Sequence, residues 1–324
     1  MLAQRRSLIL DGIEVERTPL LVPSFSSKGF PDVSKIVEAC SELIEGPTLF
    51  SAYDLAFKKI SPPFEFPSLI FLDSGGYEAS KDLDLSELGD NDHQPRHWSR
   101  EIHEEVLKDW NPSMPSVLIS YDNPKDRTSY SEQISRALAM SNGKTGFMRE
   151  ILLKPEKETQ AYVKIEEIVK HVHKLAEFDV IGVTEKEIGN SVLERMINIA
   201  KLRRALTSVN LRTPIHVFGS LDTISTPLYF LAGADIFDGL TWLRFAYYQG
   251  QTIYKHNFGA LKLGTSTKAH VVDARCWHEN YYYMREMELE MRTFLSQGDF
   301  GSFKHNNDLF RRSLQATLEA IGEK

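Results

Sequence analysis

Short apolar runs alternate with amphipathic stretches along the chain, from about residue 20 to about residue 240. Eight of these runs are continuously hydrophobic rather than alternating with polar residues. This pattern is typical of strands buried on both faces, as in a parallel sheet covered by helices. The eight runs are LLVPSF (20–25), PTLFS (47–51), SLIFLD (68–73), SVLISYD (116–122), FMREILLKP (147–155), DVIGVTE (179–185), PIHVFG (214–219) and ADIFDG (234–239).

The stretches between the runs predict helices. YVKIEEIVKHVHKLAEF (162–178) and NSVLERMINIAKLRRAL (190–206) carry apolar residues at three- and four-residue spacing, which indicates surface helices. Eight strands that alternate with helices predict an α/β fold, a (β/α)8 TIM barrel over residues 1–275. The repeat then stops. Two further helices are predicted at 279–296 and 305–321, within a small helical C-terminal extension over residues 276–324.

A polar stretch from residue 78 to about residue 115 follows the third predicted strand. In such barrels this end of the strands carries the active site. A long segment there predicts either a lid or substrate clamp, or a plain surface insertion.

Composition adds several limits. The chain has 324 residues, 42% hydrophobic and 26% charged, which is enough to bury a large single core. No apolar run approaches the roughly 20 residues that span a bilayer, and the N-terminus lacks a signal peptide's apolar stretch, so we expect a cytoplasmic protein. The two cysteines, Cys40 and Cys276, exclude a four-cysteine zinc site and argue against a disulfide framework.

Aspartates end three of the predicted strands: Asp73, Asp122 and Asp238. The carboxyl ends of barrel strands converge on one face, so we expect these side chains to meet there. Clustered carboxylates serve acid–base or nucleophilic chemistry, or bind a cation. For a single such aspartate, capping a helix is the more common role. The residues alone therefore leave a glycosyl-transfer enzyme and a metal-dependent enzyme both open.

Two motifs decide between these classes. DSGGYE (73–78) resembles the DSGGFQ motif of the tRNA-guanine transglycosylases, the queuine and archaeosine tRNA-ribosyltransferases. GADIFD (233–238) resembles their G-x-D-x-F-D nucleophile segment. Further matching pieces occur in the family's order over nearly the whole barrel. They are Thr18-Pro19, Val22-Pro23, Asp122, Ile181-Gly182, Val217-Phe218-Gly219 and Arg244.

The resemblance implies a reaction. Family members displace a base from its nucleoside with an aspartate that forms a covalent glycosyl-enzyme intermediate, and a 7-deazaguanine-type base then attacks that intermediate. Asp238 would be the nucleophile, and Asp73 the general acid and base. Asp122 would accept hydrogen bonds from the base's ring N–H and amine. The other base-binding positions implied are Ser74, Gly75, Tyr77, Gly182 and Gly219.

A base inside a helix cannot reach such a pocket, so the resemblance also implies an unpaired or extruded nucleotide. Between residues 241 and 275, cationic side chains outnumber the single carboxylate, Asp273, although the whole chain has a net charge of −7. This basic ribbon predicts a track for a polynucleotide backbone, with a solvated surface as the alternative. Its proposed contacts are Arg244, Lys255, Lys262 and Lys268, and its aromatic residues include Tyr247, Tyr248 and Tyr254.

The chain departs from the family at its zinc subdomain. Only Cys276 and His305 match the expected ligand positions, and Ala274 and Glu279 stand at two others. Two ligands do not make a tetrahedral zinc site, so we expect no metal and no cofactor. The C-terminal extension is thus degenerate relative to that subdomain.

Base recognition has changed as well, because ILLKP (151–155) replaces the family's V-Q-G segment and Glu78 replaces its glutamine. These departures resemble the DNA-modifying 7-deazaguanine transglycosylases, and they favour DNA slightly over tRNA as the substrate. Family members are often dimers, so a homodimer is one candidate assembly. Three alternatives stay open: a tRNA-guanine transglycosylase proper, a non-catalytic partner subunit, and a nucleoside or base hydrolase on the same fold.

Overall fold

An antiparallel hairpin, β1 (Ser7–Leu10) with β2 (Ile13–Arg17), precedes eight parallel strands. The computed structural model describes residues 1–80, 93–140 and 145–323. Each parallel strand lies within one of the eight predicted runs. They are β3 (Leu20–Pro23), β4 (Thr48–Ser51), β5 (Ile70–Asp73), β6 (Ser116–Ile119), β7 (Met148–Leu153), β8 (Val180–Thr184), β9 (Ile215–Phe218) and β10 (Ile236–Gly239).

The eight strands form a nearly closed barrel, in the order β3-β10-β9-β8-β7-β6-β5-β4. A parallel bridge between Ser24 and Leu49 joins the two edge strands, and the Phe25 N–H donates to the Leu49 carbonyl at 3.1 Å. Helices alternate with the strands, so the predicted (β/α)8 TIM barrel is confirmed.

Helices follow most of the strands. They are α1 (Val33–Cys40), α2 (Ala52–Ala56), α3 (Gly76–Ala79), α4 (Arg100–Asp109), α5 (Tyr130–Met140), α6 (Ile165–Val169), α7 (Val192–Ser208), α8 (Ser225–Leu231) and α9 (Thr241–Arg244). The helix predicted at 190–206 is α7. The one predicted at 162–178 is two pieces, α6 and a 3-10 helix at Val172–Glu177.

A second hairpin and three helices complete the chain: β11 (Phe245–Tyr248), β12 (Gln251–Tyr254), α10 (Lys255–Lys262), α11 (Ala269–Gln297) and α12 (Asn307–Ala320). The predicted C-terminal helices are thus α11 and α12. The boundary expected after residue 275 falls inside α11, because that helix begins at Ala269 rather than at residue 279. Gly298 ends α11 in the left-handed conformation, with φ of 69°.

Both faces of the barrel strands are buried, which explains their continuous hydrophobicity. Inside the barrel one apolar cluster includes Val22, Phe71, Leu152 and Ile236, and Leu8 of the first hairpin packs onto it. Neighbouring strand residues point outward into a second cluster shared with the helices. Successive side chains alternate between the two clusters, so Ile236 and Asp238 share the interior face.

Of the polar stretch predicted as a lid or an insertion, the structure describes residues 78–80 and 93–115, and the latter include α4. Residues 81–92 lie outside the described residues, so that prediction is untested there. Among the described helices, none combines the length and apolarity needed to cross a membrane.

Candidate active site

The carboxyl ends of the strands open onto a cavity of about 610 Å³. Ligand pockets commonly measure about 300–1,000 Å³. The cavity brings together all three strand-end aspartates predicted from the sequence, and Ser74, Tyr77, Gly219 and Arg244 also line it. Its lining includes Asp73, Asp122 and Asp238.

Asp238 is oriented by two hydrogen-bond donors and lies beside a buried histidine. Oδ2 accepts a hydrogen bond from the Ser24 hydroxyl at 2.8 Å, and Oδ1 accepts one from the Gly219 N–H at 3.1 Å. The Ser24 oxygen accepts from the Gly239 N–H at 3.1 Å, which directs its proton toward Asp238. His216 Nε2 lies 3.3 Å from Oδ1. The carboxylate is therefore held in one orientation at the cavity floor.

The other aspartate of the GADIFD segment has a different role. Asp235 precedes β10 and forms buried ion pairs with Arg6 at 2.6 Å and Arg203 at 2.5 Å. It also accepts a hydrogen bond from the Ile215 N–H at 2.8 Å. Asp235 thus anchors the start of the strand, and Asp238 faces the cavity from its end.

Asp73 lies at the end of β5 and has unusual electrostatics. Burial, together with the nearby charges of Glu78 and Asp238, raises its pKa to about 7. The Gly75 N–H donates to Oδ2 at 3.3 Å and opposes this shift in part. A carboxyl group that is substantially protonated near neutral pH can act as a general acid.

Two further buried acids flank Asp73, and the sequence analysis assigned neither of them a role. Glu78 accepts hydrogen bonds from the hydroxyls of Ser26 and Ser51, the latter at 2.8 Å. Asp54 accepts from the Ser27 N–H at 2.7 Å. Burial and their mutual repulsion raise the pKa of Glu78 to about 7, and burial raises that of Asp54 to about 6. Glu78 therefore adds to the field that favours protonated Asp73.

Asp122 is bound by cations. Oδ1 accepts from Arg127 at 2.6 Å, and Oδ2 lies 3.1 Å from Lys154 Nζ. Burial alone would raise the pKa of Asp122, but Lys154 and Arg127 outweigh it and hold the pKa below its usual value. Both cations also contact Glu187. Because an ionised carboxylate has about four lone-pair sites, Asp122 can still accept a hydrogen bond from a ligand.

The remaining predicted side chains divide between the cavity and the surface. Arg244 donates to the Tyr77 hydroxyl at 2.6 Å, and both residues line the cavity. Lys255, Lys262 and Lys268 are not among the lining residues. Lys255 forms an ion pair with Asp273 at 2.5 Å, the Lys262 ammonium lies 5.1 Å from the Tyr248 ring centre, and Lys268 is exposed at the start of α11.

The tyrosines of the basic ribbon differ in exposure. Tyr247 is buried, and its hydroxyl donates to the Leu221 carbonyl at 2.5 Å. Tyr248 is partly buried, whereas Tyr254 is 48% exposed. Of these three, Tyr254 is thus the ring best exposed for stacking on a base.

Two of the predicted glycines make room for neighbouring side chains, and neither is among the cavity-lining residues. A Cβ on Gly75 would lie 2.7 Å from the Tyr53 Cβ, and one on Gly182 would lie 2.7 Å from Glu150 Oε1. Gly219 is different, because it lines the cavity with φ of +78° and donates its N–H to Asp238.

Among the acids that line the cavity, Asp73 and Asp238 therefore lie in contrasting surroundings. No protein-family model and no curated protein matches the chain.

The residues at the zinc-ligand positions are not assembled into a metal site. Cys276 is buried in α11 among Ala246, Phe258 and Val272, and burial raises the pKa of its thiol to about 12. His305 lies against Gly250. Within residues 1–80, 93–140 and 145–323, no three His, Cys, Asp or Glu side chains are grouped to hold a metal ion.

The structure also places two interior residues that the sequence analysis did not single out, Glu150 and His216. Both are fully buried, and they contact each other at 2.9 Å. The available signal was a charged or polar residue inside each of two apolar runs, FMREILLKP and PIHVFG.

Proposed function

We propose that the protein is a pentosyltransferase that exchanges guanine for a 7-deazaguanine-type base in a polynucleotide, with Asp238 as the nucleophile. The observation that carries the proposal is the contrast between two of the acids that line one cavity. Asp238 is oriented by donor groups, whereas Asp73 has a pKa raised to about 7. This contrast suits a nucleophile and a general acid.

The first step would form an ester. An oxygen of Asp238 attacks C1′ of the sugar, the C1′–N9 bond breaks with its electron pair leaving on guanine, and Asp73 gives its proton to that base. In the second step the incoming base attacks C1′ and the ester C–O bond breaks. Asp73 takes the proton that the incoming base loses. Two inversions retain the configuration at C1′.

Binding of the base would use other residues that line the cavity. Asp122 would accept hydrogen bonds from the base's ring N–H and amine through lone pairs that Arg127 and Lys154 leave unused. Tyr77 would stack on the ring, since it lines the cavity and Arg244 fixes its hydroxyl.

The polynucleotide would present an unpaired or extruded nucleotide, because the acids lie at the floor of a cavity. Arg244 is at the cavity wall, and Lys262 and Lys268 are exposed on the following segment, so these cations would contact phosphates. DNA is slightly favoured over tRNA, on the sequence resemblance alone.

A labelled-base assay tests the proposal. The protein is incubated with a labelled cyano- or aminomethyl-7-deazaguanine and with either DNA or unmodified tRNA, and label in the polynucleotide is counted. We expect incorporation by the wild type and none by Asp238→Ala. Asp179→Asn, a carboxylate change at the amino end of β8, serves as the matched control and should retain activity.

Other outcomes point to the alternatives. Full activity in Asp238→Ala would contradict the proposed nucleophile. Release of free guanine without an added base would indicate a hydrolase. Absence of any reaction with both polynucleotides would favour a non-catalytic partner subunit.

A further inference from the structure

Glu150 and His216 form a buried pair inside the barrel, in contact with Asp238. His216 on β9 places Nδ1 2.9 Å from Glu150 Oε1 on β7 and Nε2 3.3 Å from Asp238 Oδ1 on β10. Between β7 and β9, β8 carries Gly182, whose missing side chain leaves the space that Glu150 occupies. Three strands thus supply one continuous chain of ionisable groups.

The imidazole ring is fixed by aromatic packing. The Phe218 ring stacks on His216 with centroids 3.9 Å apart and planes at 27°. Phe71 of β5 meets it edge-on, with centroids 5.5 Å apart. His216 is fully buried, so rotation of its ring away from Asp238 would need repacking of the barrel interior.

The charges of the pair balance each other. Burial alone would lower the pKa of His216, but Glu150 and Asp238, the charged groups that face its ring, outweigh burial and raise it to about 9. Burial raises the pKa of Glu150, and His216 opposes that shift. Glu150 Oε2 has no hydrogen-bond partner among the described residues, so the imidazolium is the cation that offsets Glu150.

We propose that Glu150 and His216 are positioning residues that hold the Asp238 carboxylate in one orientation against a charged imidazolium, which leaves Asp73 as the proton donor of the cavity. Two neighbouring carboxyl groups otherwise tend to share one proton. An imidazolium against Asp238 Oδ1 places the two carboxyl groups in different electrostatic surroundings, and the Glu150 carboxylate keeps that imidazolium charged. This inference rests on the proposed function, because it assigns the nucleophile and acid of that reaction to separate carboxyl groups.

A charge-removing variant tests the role in catalysis. Glu150→Gln keeps the side chain's size and removes the charge that holds His216 protonated. We expect kcat for base exchange to fall by about 10- to 100-fold, the loss typical of small misplacements at a reacting centre. KM for the incoming base should not change. The alkaline limb of the pH–rate profile should move to lower pH, because His216 loses the carboxylate that raises its pKa.

The matched control is Asp179→Asn, which removes a carboxylate charge at the amino end of β8, where Asp179 Oδ2 accepts from the Arg149 N–H at 2.7 Å. It should leave kcat and the pH–rate profile unchanged. A Glu150→Gln profile that superimposes on the wild type would overturn the inference. So would an equal shift in both variants.

A second measurement needs no catalysis. Nitrogen NMR of the wild type should show the His216 imidazole doubly protonated at pH 7 and losing its proton near pH 9, in line with its raised pKa of about 9. In Glu150→Gln and in Asp238→Asn that transition should move to lower pH. A neutral His216 at pH 7 in the wild type would overturn the inference.

The two failures are distinguishable. If the wild type exchanges no base into DNA or tRNA, the proposed function fails, and the NMR titration still decides whether a charged pair supports Asp238. If the wild type is active and Glu150→Gln matches it at every pH, the proposed function stands and the inference is wrong.

Discussion

At the scale of single residues, the cavity separates two carboxyl groups that share one space. Asp238 accepts hydrogen bonds from Ser24 and Gly219, whereas Asp73 is buried and lies near other negatively charged side chains. The same field that suits Asp73 to donate a proton makes its ionised form costly to the fold. The proposed catalytic role of Asp73 and the stability of the fold therefore oppose each other at this position.

Asp73→Asn should stabilise the protein at alkaline pH. Asp73 has a folded-state pKa of about 7 against an ordinary value of 3.8, so its favourable contribution is present below pH 3.8 and is lost as pH rises through about 7. Asparagine does not ionise, so the variant does not lose this stability as the pH rises. We expect thermal unfolding of the variant about 2–5 °C above the wild type at pH 8, a difference that shrinks at pH 4.5.

The control for this prediction is the same pair of proteins across the pH series. A melting difference that is constant between pH 4.5 and pH 8, or a variant that is less stable at pH 8, would show that Asp73 is not the strained acid. Base exchange should be lost in Asp73→Asn at every pH.

At the scale of elements, the eight barrel strands were predictable, whereas the two hairpins and the contacts across the barrel were not. A strand that is buried on both faces needs apolar residues at successive positions. Each of the eight barrel strands was therefore predicted from a continuous apolar run. Glu150 and His216 are 66 residues apart and meet only because β7 and β9 both flank β8. A lone polar residue within an apolar run does not reveal its partner.

The same limit applies to Asp122 and to α11. The DSGGYE and GADIFD motifs located Asp73 and Asp238, but nothing local indicates that Lys154 reaches Asp122 from β7's end. Helix α11 starts at Ala269, inside the basic ribbon of residues 241–275. The excess of positive charge there, rather than the spacing of apolar residues, determined how that ribbon was interpreted. Its buried positions include Val272 and Cys276, which give the missed turns an apolar face.

Gly182→Ala tests the packing between β8 and its neighbours. The added Cβ would lie 2.7 Å from Glu150 Oε1 and 2.7 Å from the Phe218 ring. We expect a loss of about 1–3 kcal/mol in the free energy of unfolding, measured by denaturant titration, since overpacked interiors cost this much. Base exchange should also fall because Glu150 is displaced.

The double variant Glu150→Ala/Gly182→Ala supplies the control. Removing the Glu150 side chain relieves one of the two 2.7 Å contacts and leaves the one with Phe218, so the two changes should be non-additive, with Gly182→Ala costing less in the double variant. Additive losses would mean that Glu150 does not fill the space over Gly182.

At the scale of the whole molecule, one basic segment follows β10. It runs from Arg244 at the cavity wall through α10 to the start of α11, where Lys262 and Lys268 are exposed. The remainder of the chain is acidic on balance, since the net charge is −7. A polyanion would therefore approach the cavity from this segment.

Charge reversal tests that approach. Lys262→Glu and Lys268→Glu should each weaken polynucleotide binding and reduce the slope of log K against log salt by about one, the expectation for one lost phosphate contact. Lys201→Glu, on the outer helix α7 and paired with Glu166, is the matched control. Equal effects of all three substitutions would indicate non-specific charge attraction.

The central claim, that Asp238 is a glycosyl nucleophile, is tested most directly by trapping the intermediate. Protein and substrate polynucleotide are mixed without an incoming base, denatured, and analysed by gel and by peptide mass spectrometry. We predict a covalent adduct on the peptide that contains Asp238, absent in Asp238→Asn and removed by adding a 7-deazaguanine base. An adduct on another residue, or base exchange that persists in Asp238→Asn, would contradict the account.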